Sequence, residues 1–270
     1  MSALSTSDNH GIIRPWERGR AFQLARVEPS PSLASIVERY WVVRWDLDLE
    51  QTFRQEILPH PSIDLVVEPH QTWIWGVPTR RQALALSGSG WAVGLKFQPG
   101  AFTGCTGIDA SRLTDTRMTI DAAFHRPLGD YDPEPQTIID AMEALLAPWD
   151  RLEDPSLDLV QSAIASMYQL PANARVEDIA NANHLAARTL QRLFRRYIGV
   201  GPKWVLKRLR IHQAIERIAI DPEPNWTALA LDLGYYDHAH FIRDFRLIVG
   251  RSPTEHAREA ATALAERPDD

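Results

Sequence analysis

The feature that most restricts how this chain can fold is a stretch that occurs twice. Leu190-Gln191-Arg192-Leu193-Phe194, closed by Gly199 and Pro202, returns 51 residues later as Phe241-Ile242-Arg243-Asp244-Phe245, closed by Gly250 and Pro253. Each copy places an apolar residue first, Arg two on, Phe four on, Gly nine on and Pro twelve on. Ahead of each copy stands a small residue, Ala180 or Ala230, followed four positions later by a turn position, His184 or Gly234. A small side chain lets two helices cross closely, and glycine accepts positive φ at little cost. The pattern predicts two helix-turn-helix units in the last hundred residues.

On the second helix of the first unit, Leu190, Leu193 and Phe194 are expected to pack inward. Arg188, Thr189, Gln191, Arg192, Arg195 and Arg196 then project to solvent. In the second unit Phe241 and Phe245 pack, while His238, His240, Arg243 and Arg246 project. Gly199 and Gly250 should end these helices, Pro202 and Pro253 should open the next, and Ser252 fits an N-cap. Between the copies, Val205, Leu206, Leu209, Ile211, Ala214, Ile215 and Ile218 predict one long helix over Lys203–Ile220. Such a helix is about 27 Å long, slightly short of the roughly 34 Å turn of B-DNA, so it predicts bent DNA or incomplete engagement of one unit.

A nucleic-acid partner sits badly with a net charge of −6 until the charge is located. Residues 172–258 hold 14 Lys+Arg against 9 Asp+Glu, a net of +5, leaving −11 for the rest. A basic C-terminal region behind an acidic one suits a polyanion reader attached to a sensor.

Upstream, residues 1–20 are polar and are expected to be loosely ordered. Short β-branched or aromatic runs follow at Tyr40–Val43, Ile63–Val67, Trp73–Trp75 and Trp91–Phe97, bounded by Pro, Gly or Ser. They imply a cupin-like small barrel or a sandwich. Helices are expected through Leu33, Ile36, Val37 and Tyr40, over Leu113–Phe124, through Ile138, Met142, Leu145 and Leu146 as far as Pro148, and from Pro155 through Met167. The stretch Pro127–Pro135 is rich in turn residues. The chain therefore reads as α+β in two domains: a β-rich domain over 21–150 with flanking helices, and an all-α domain over 155–260.

The C-terminal motif Ala230-x-x-x-Gly234-Tyr235-x-Asp237-x-x-x-Phe241-x-Arg243-x-Phe245-x-x-x-x-Gly250-x-Ser252-Pro253, with its upstream partner at Leu190–Pro202, resembles the AraC/XylS family of transcription regulators. That resemblance covers about residues 159–258 and implies a seven-helix DNA-binding domain with one recognition helix per half. It implies recognition roles for Arg188, Gln191 and Arg192 in the first half and for His238, His240 and Arg243 in the second. His184 departs from the glycine common in the first turn, and Asn181–Asn183 is unusually polar. More loosely, Leu58–Val67, Gly76 and Gly94–Gly100 are similar to a β-rich N-terminal domain found in one subgroup of these regulators, over about residues 20–125.

Each highlighted residue has a plainer reading as well. An arginine on a helix is most often a solvated surface residue, but Arg192 and Arg243 hold equivalent repeat positions. Arg can bridge guanine O6 and N7, and Gln can pair with adenine, whereas Arg195, Arg196, Lys203, Lys207 and Arg246 suit phosphate or water. The N-terminal tryptophans suit a core, but Trp73, Trp75 and Trp91 with His60 also suit an effector pocket. Trp73 and Trp75 are expected on opposite faces of a strand, with one turned inward. Double-stranded DNA, a small-molecule effector and RNA polymerase are the expected partners, for a monomer or a homodimer.

Catalytic residues, metals and cofactors are not expected. His10, His60, His70 and His125 fall at no metal-ligand spacing, Gly88-Ser89-Gly90 lacks a strand–turn–helix setting, and Cys105 has no basic neighbour in sequence. The N-terminus lacks the apolar core of a signal peptide and no apolar run is long enough to span a bilayer, so a cytoplasmic protein is expected. Two alternatives stay open: an effector-independent regulator whose N-terminal half dimerises or binds a protein, and a cupin-like enzyme fused to a DNA anchor.

Overall fold

The structure, a computed structural model, describes residues 22–48, 50, 52–124 and 134–265. The N-terminal stretch 1–20, His10, His125 and most of the turn-rich stretch 127–135 lie outside the described residues.

Among the described residues eight strands form two sheets. β1 (Gln23–Val27), β2 (Val37–Asp46), β4 (Asp64–Glu68), β5 (Gln71–Trp75), β7 (Ser89–Phe97) and β8 (Arg117–Thr119) make an antiparallel sheet in the order β1-β2-β7-β4-β5-β8. β3 (Thr52–Ile57) and β6 (Gln82–Ser87) form a separate two-stranded ribbon. The edge strands β1 and β8 are not paired with each other, so the larger sheet is open and the barrel alternative does not close.

Register divides the larger sheet into two unlike faces. On one, Val27, Tyr40, Leu95, Leu65 and Ile74 lie side by side across five strands, all buried. Helix α3 (Pro135–Leu146) belongs to the core on this side, where its Glu143 accepts from the Ser30 amide at 2.9 Å and the Tyr40 hydroxyl at 3.4 Å. The other face carries Trp41, Gly94, Val66 and Trp73 in one row and Lys96, Asp64, Trp75 and Arg117 in the next.

Three local expectations change. Leu33 and Ile36 lie in turns and Tyr40 in β2, so no helix forms there. Their helical spacing reflects burial of all three side chains by tertiary contacts. Within 113–124 only α2 (Ile120–Phe124) is helical, because Arg117–Thr119 pairs with β5. Trp73 and Trp75 share a face, since residues two apart on a strand point the same way, and Ile74 is the one turned into the core.

Helix α1 (Ala101–Thr106) lies between β7 and β8, and from α4 (Pro155–Gln169) onward the described residues form helices and turns only. One hydrophobic core runs from the inner sheet face through α1, α3 and α4 to Phe194, Ile198, Val205 and Leu209. A second core gathers Ile211, Ala214 and Ile218 with Leu229, Phe241, Phe245 and Val249, and takes in Leu58 from the β domain. Among the described residues no helix is long and apolar enough to cross a membrane.

Candidate nucleic-acid interface

The repeat folds twice in the same way. α5 (Val176–Ala182) and α6 (Ala187–Ile198) form the first unit; α8 (Trp226–Asp232) and α9 (His238–Val249) form the second. α6 and α9 each have 12 residues, at the same 51-residue offset as the sequence motif. Ala180 and Ala230 are buried at the crossings. The carbonyl of Ala180 accepts from Leu185 N at 2.9 Å, and that of Ala230 from Tyr235 N at 3.0 Å.

The turn positions both take the left-handed conformation, with φ 55° at His184 and 75° at Gly234. Histidine is strained there by of order 1 kcal/mol, since its Cβ crowds the backbone. Asn183 beside it explains the polar stretch. Its buried amide accepts from Ser162 Oγ at 2.7 Å and donates to Ser166 Oγ and the Ile179 carbonyl, tying α5 to α4. Gly234 has a second constraint: a Cβ there would lie 2.3 Å from the Ala172 carbonyl oxygen, so the second turn touches the segment entering the first unit.

α7 (Pro202–Ile220) joins the units as a single helix of 19 residues, about 28 Å long. Gly199 and Gly250 cap α6 and α9 with φ 91° and 85°. Both caps abut the β domain. Thr114 Oγ1 donates to the Gly199 carbonyl at 2.8 Å, and the Arg81 guanidinium lies against Gly250. Arg81 and Arg251 both ion-pair with Glu56 of β3. Ser252 caps α10 (Pro253–Ala265) in a capping box with Glu255: its Oγ accepts from Glu255 N at 3.2 Å, while Ser252 N donates to the Glu255 carboxylate.

On α6, Arg188, Gln191, Arg192 and Arg195 are exposed at i, i+3, i+4 and i+7, which is one helix face. Arg196 is exposed beside them and Thr189 is half-buried. None of these arginines has an ion-pair partner among the described residues, so the face carries uncompensated positive charge. On α9, Arg243 and Arg246 are exposed at the places of Arg192 and Arg195.

The two histidines differ. His238 is half-buried with its ring tilted over Phe241, whereas His240 is exposed one turn ahead of Arg243, its ring edge-on to Tyr235 and its Nε2 3.4 Å from Asp244. Asp244, buried within α9, also accepts from Lys207 of α7 at 2.8 Å, so Lys207 is not a free phosphate ligand. Sequence reasoning passed over Tyr236, 90% exposed just ahead of α9; the Gly234-Tyr235-Tyr236-Asp237 string is the signal that marks it. Asp237 caps α9 by accepting from His240 N at 2.7 Å.

The four residues expected around an effector are divided. Trp73 and Trp75 lie together beneath the Arg117 guanidinium, 4.0 and 4.7 Å from their rings. His60 sits in the turn before β4, with Nδ1 3.0 Å from Ser62 Oγ. Trp91 alternates with Ala92 and Gly94 and so stands on the opposite, core-facing side. Cys105 is buried, and burial pushes its thiol up to about 12, far from a reactive thiolate. Among the described residues no group of three or more His, Cys, Asp or Glu side chains is placed to hold a metal ion.

Comparison with known proteins follows the same division of the chain. Residues 179–259 match the family described as a helix-turn-helix domain. Residues 25–119 match a domain of unknown function (DUF6597). No curated protein sequence matches. Similar solved structures include an AraC-type transcriptional regulator from Chromobacterium violaceum, with 23% identity over 39% of this chain and 95% of that one, at a TM-score of 0.36. They also include a DNA-binding transcriptional dual regulator from Escherichia coli K-12, with 21% identity over 38% and 93% and a TM-score of 0.35. ToxT from Vibrio cholerae O395 aligns over 92% of this chain and all of its own at 11% identity and a TM-score of 0.39. The paired units on α5–α6 and α8–α9 thus fall, but for the start of α5, within the segment that matches a helix-turn-helix domain.

Proposed function

We propose that the chain is a sequence-specific transcription regulator that lays α6 and α9 into successive major grooves of double-stranded DNA. Residues 155–260 form its DNA-binding part and 21–150 its sensor. Arg188, Gln191 and Arg192 read base edges from α6, with Thr189, Arg195 and Arg196 beside them; Arg243 reads from α9, flanked by His238, His240 and Arg246. The observation that carries this reading is the pair of equivalent helices at one fixed offset, each exposing arginine, joined by a single rod.

A small-molecule effector controls the sensor, held on the Trp73–Trp75 face near His60 rather than at Trp91. A ligand shifts only an equilibrium whose two states it binds differently, so the effector must meet groups that move with the helices. The regulator works in the cytoplasm as a monomer or homodimer, meets RNA polymerase at the promoter, and performs no catalysis.

Genomic mapping of bound sites supplies the operator for the test. Binding to that duplex should weaken steeply with salt, because each neutralised phosphate releases counterions. Arg243→Ala should relax sequence preference, and Arg196→Ala should weaken all duplexes alike. If both variants bind the operator as the parent does in a gel-shift series, this reading face is wrong.

A further inference from the structure

The two second helices of the repeat do not offer the same chemistry. At the 51-residue offset, Ala239 of α9 stands where α6 has Arg188, and Ile242 stands where α6 has Gln191. Arg243 and Arg246 meanwhile repeat Arg192 and Arg195. Ala239, Ile242, Arg243 and Arg246 fall at i, i+3, i+4 and i+7, so they share one face of α9. On that face Ala239 and both arginines are exposed and Ile242 is half-buried. The core beneath is filled from α9 by Phe241, Phe245, Ile248 and Val249 and does not take in Ile242.

The surroundings suit a polyanion. Arg243 and Arg246 form no ion pair among the described residues. Asp244, the acid within α9, is buried and held by Lys207, so no exposed carboxylate of this helix stands among them. The first residues of a recognition helix are those that reach base edges, and Ala239 is the second residue of α9 and Ile242 the fifth.

Base chemistry then restricts what these two side chains can read. In the major groove adenine, guanine and cytosine present hydrogen-bonding groups, and thymine alone adds an apolar one, its C5-methyl. Against the first three, alanine or isoleucine dries a donor or acceptor and puts nothing in place of its water, which is costly. Against thymine each withdraws a methyl group from water, which is favourable. From Ala239 to Arg243 the helix rises about 6 Å, about two base-pair steps, so the methyl contacts lie close to the base that Arg243 meets.

We propose that α9 reads thymine: Ala239 and Ile242 meet the C5-methyl groups of one or two thymines beside the guanine that Arg243 contacts. This rests on the DNA-reading function above and adds the class of base. α6, with Arg188, Gln191 and Arg192, reads hydrogen-bonding edges instead. The two halves of the operator therefore differ, and the chain binds it in one orientation.

Equilibrium titration of the full chain on the mapped operator tests this. Arg243→Ala first locates the base pair at which preference relaxes. Each thymine is then replaced singly by deoxyuridine, which keeps the base pair and removes only the methyl group. The parent should lose about fourfold in affinity at one or two thymines within about two base pairs of that position. Ile242→Gln gives α9 the side chain of α6; it should abolish one such loss and favour adenine there. Ala239→Arg should abolish the loss at the position that Ala239 meets, and its exposed site keeps the test open should Ile242→Gln fail to fold. Absence of thymine within that distance, full affinity for every deoxyuridine duplex, or losses unchanged in both variants overturns the proposal. If Arg243→Ala still relaxes the preference of the chain, only methyl recognition falls and the regulator reading stands. If Arg243→Ala keeps the preference of the parent, α9 is no reader and that part of the proposed function falls as well.

Discussion

The two helix-turn-helix units share a backbone plan yet differ in what holds them and in what they show to solvent. In the first, Leu190, Leu193 and Phe194 sit in the same core as the β-sheet, so the unit is an extension of the β domain. In the second, Phe241 and Phe245 sit in a core of their own, joined to the β domain by Leu58 and by the Glu56–Arg251 ion pair. The outer faces diverge as well. At equivalent positions the first unit carries Arg188, Gln191, Arg192, Arg195 and Arg196, where the second carries Ala239, Ile242, Arg243, Arg246 and Leu247. Leu247 is 61% exposed. The inward positions of a repeat are bound by packing, which both copies must satisfy; the outward positions are free to take separate tasks. Here the firmly anchored unit carries most of the charge, and the separately packed unit carries an apolar, histidine-edged face.

Core truncation separates the units most strongly. Phe194→Ala and Phe245→Ala should each cost about 3–5 kcal/mol. The first should lower the melting temperature of the whole chain, because it opens the shared core. The second should release α8–α10 while the sheet amides stay protected from hydrogen exchange. Equal loss of sheet protection in both variants would refute the two-core picture.

Next in size is the joint between the second unit and the ribbon. Glu56→Gln removes one of the two carboxylates that meet the nearly buried Arg251, Glu259 being the other, and should cost up to about 3 kcal/mol. Faster exchange near Gly250 with α6 unchanged is the expected signature; uniform exchange along both units would show that the ion pair anchors nothing.

DNA affinity sharpens the contrast in surface. Arg192→Ala and Arg243→Ala should each lose about 1–3 kcal/mol on a specific site. Replacing Arg188, Arg195 and Arg196 together should flatten the salt dependence more than replacing Arg246, by roughly 0.9 in the logarithmic slope for each phosphate left without its arginine. Titration across salt decides this, and equal slopes would mean that the units share the phosphate load.

The smallest effect concerns His60, near the junction of the two cores. Its imidazole titrates well below about 6.5 in the folded chain and near that value when unfolded. The unfolded chain therefore takes up the proton first, and the contribution of neutral His60 is complete above pH 6.5 and is lost as pH falls below it. The slope should reach at most about 1.4 kcal/mol per pH unit, measured by denaturant unfolding between pH 7 and pH 5. His60→Gln should remove it; an unchanged slope would place its origin in another group.

How much was legible beforehand follows from how local each signal is. The runs Tyr40–Val43, Ile63–Val67, Trp73–Trp75 and Trp91–Phe97 fall in β2, β4, β5 and β7, since their β-branched and aromatic residues suit a pleated, half-buried surface. β6, Gln82-Ala83-Leu84-Ala85-Leu86-Ser87, has no β-branched or aromatic residue, and β3, Thr52-Phe53-Arg54-Gln55-Glu56-Ile57, interrupts its own with three polar ones; the two depend on pairing with each other. Arg188, Arg192, Arg195 and Arg196 were placed on an outer helix face because a 3.6-residue period fixes facing without tertiary knowledge. His240 is exposed on that face of α9 for the same reason, whereas His238, in the first turn, is half-buried over Phe241.

By itself the amino-acid order determined the twin units, their turns, the rod between them and their outward charge, all of which depend on spacings within about twenty residues. Only the tertiary structure decided that the first unit shares the core of the β domain, that Glu56 reaches Arg251, and that Arg208 is buried against Pro59. Those pairings join residues up to 195 positions apart. No periodicity encodes them, because they arise from which packed surfaces meet once the helices and sheet already exist.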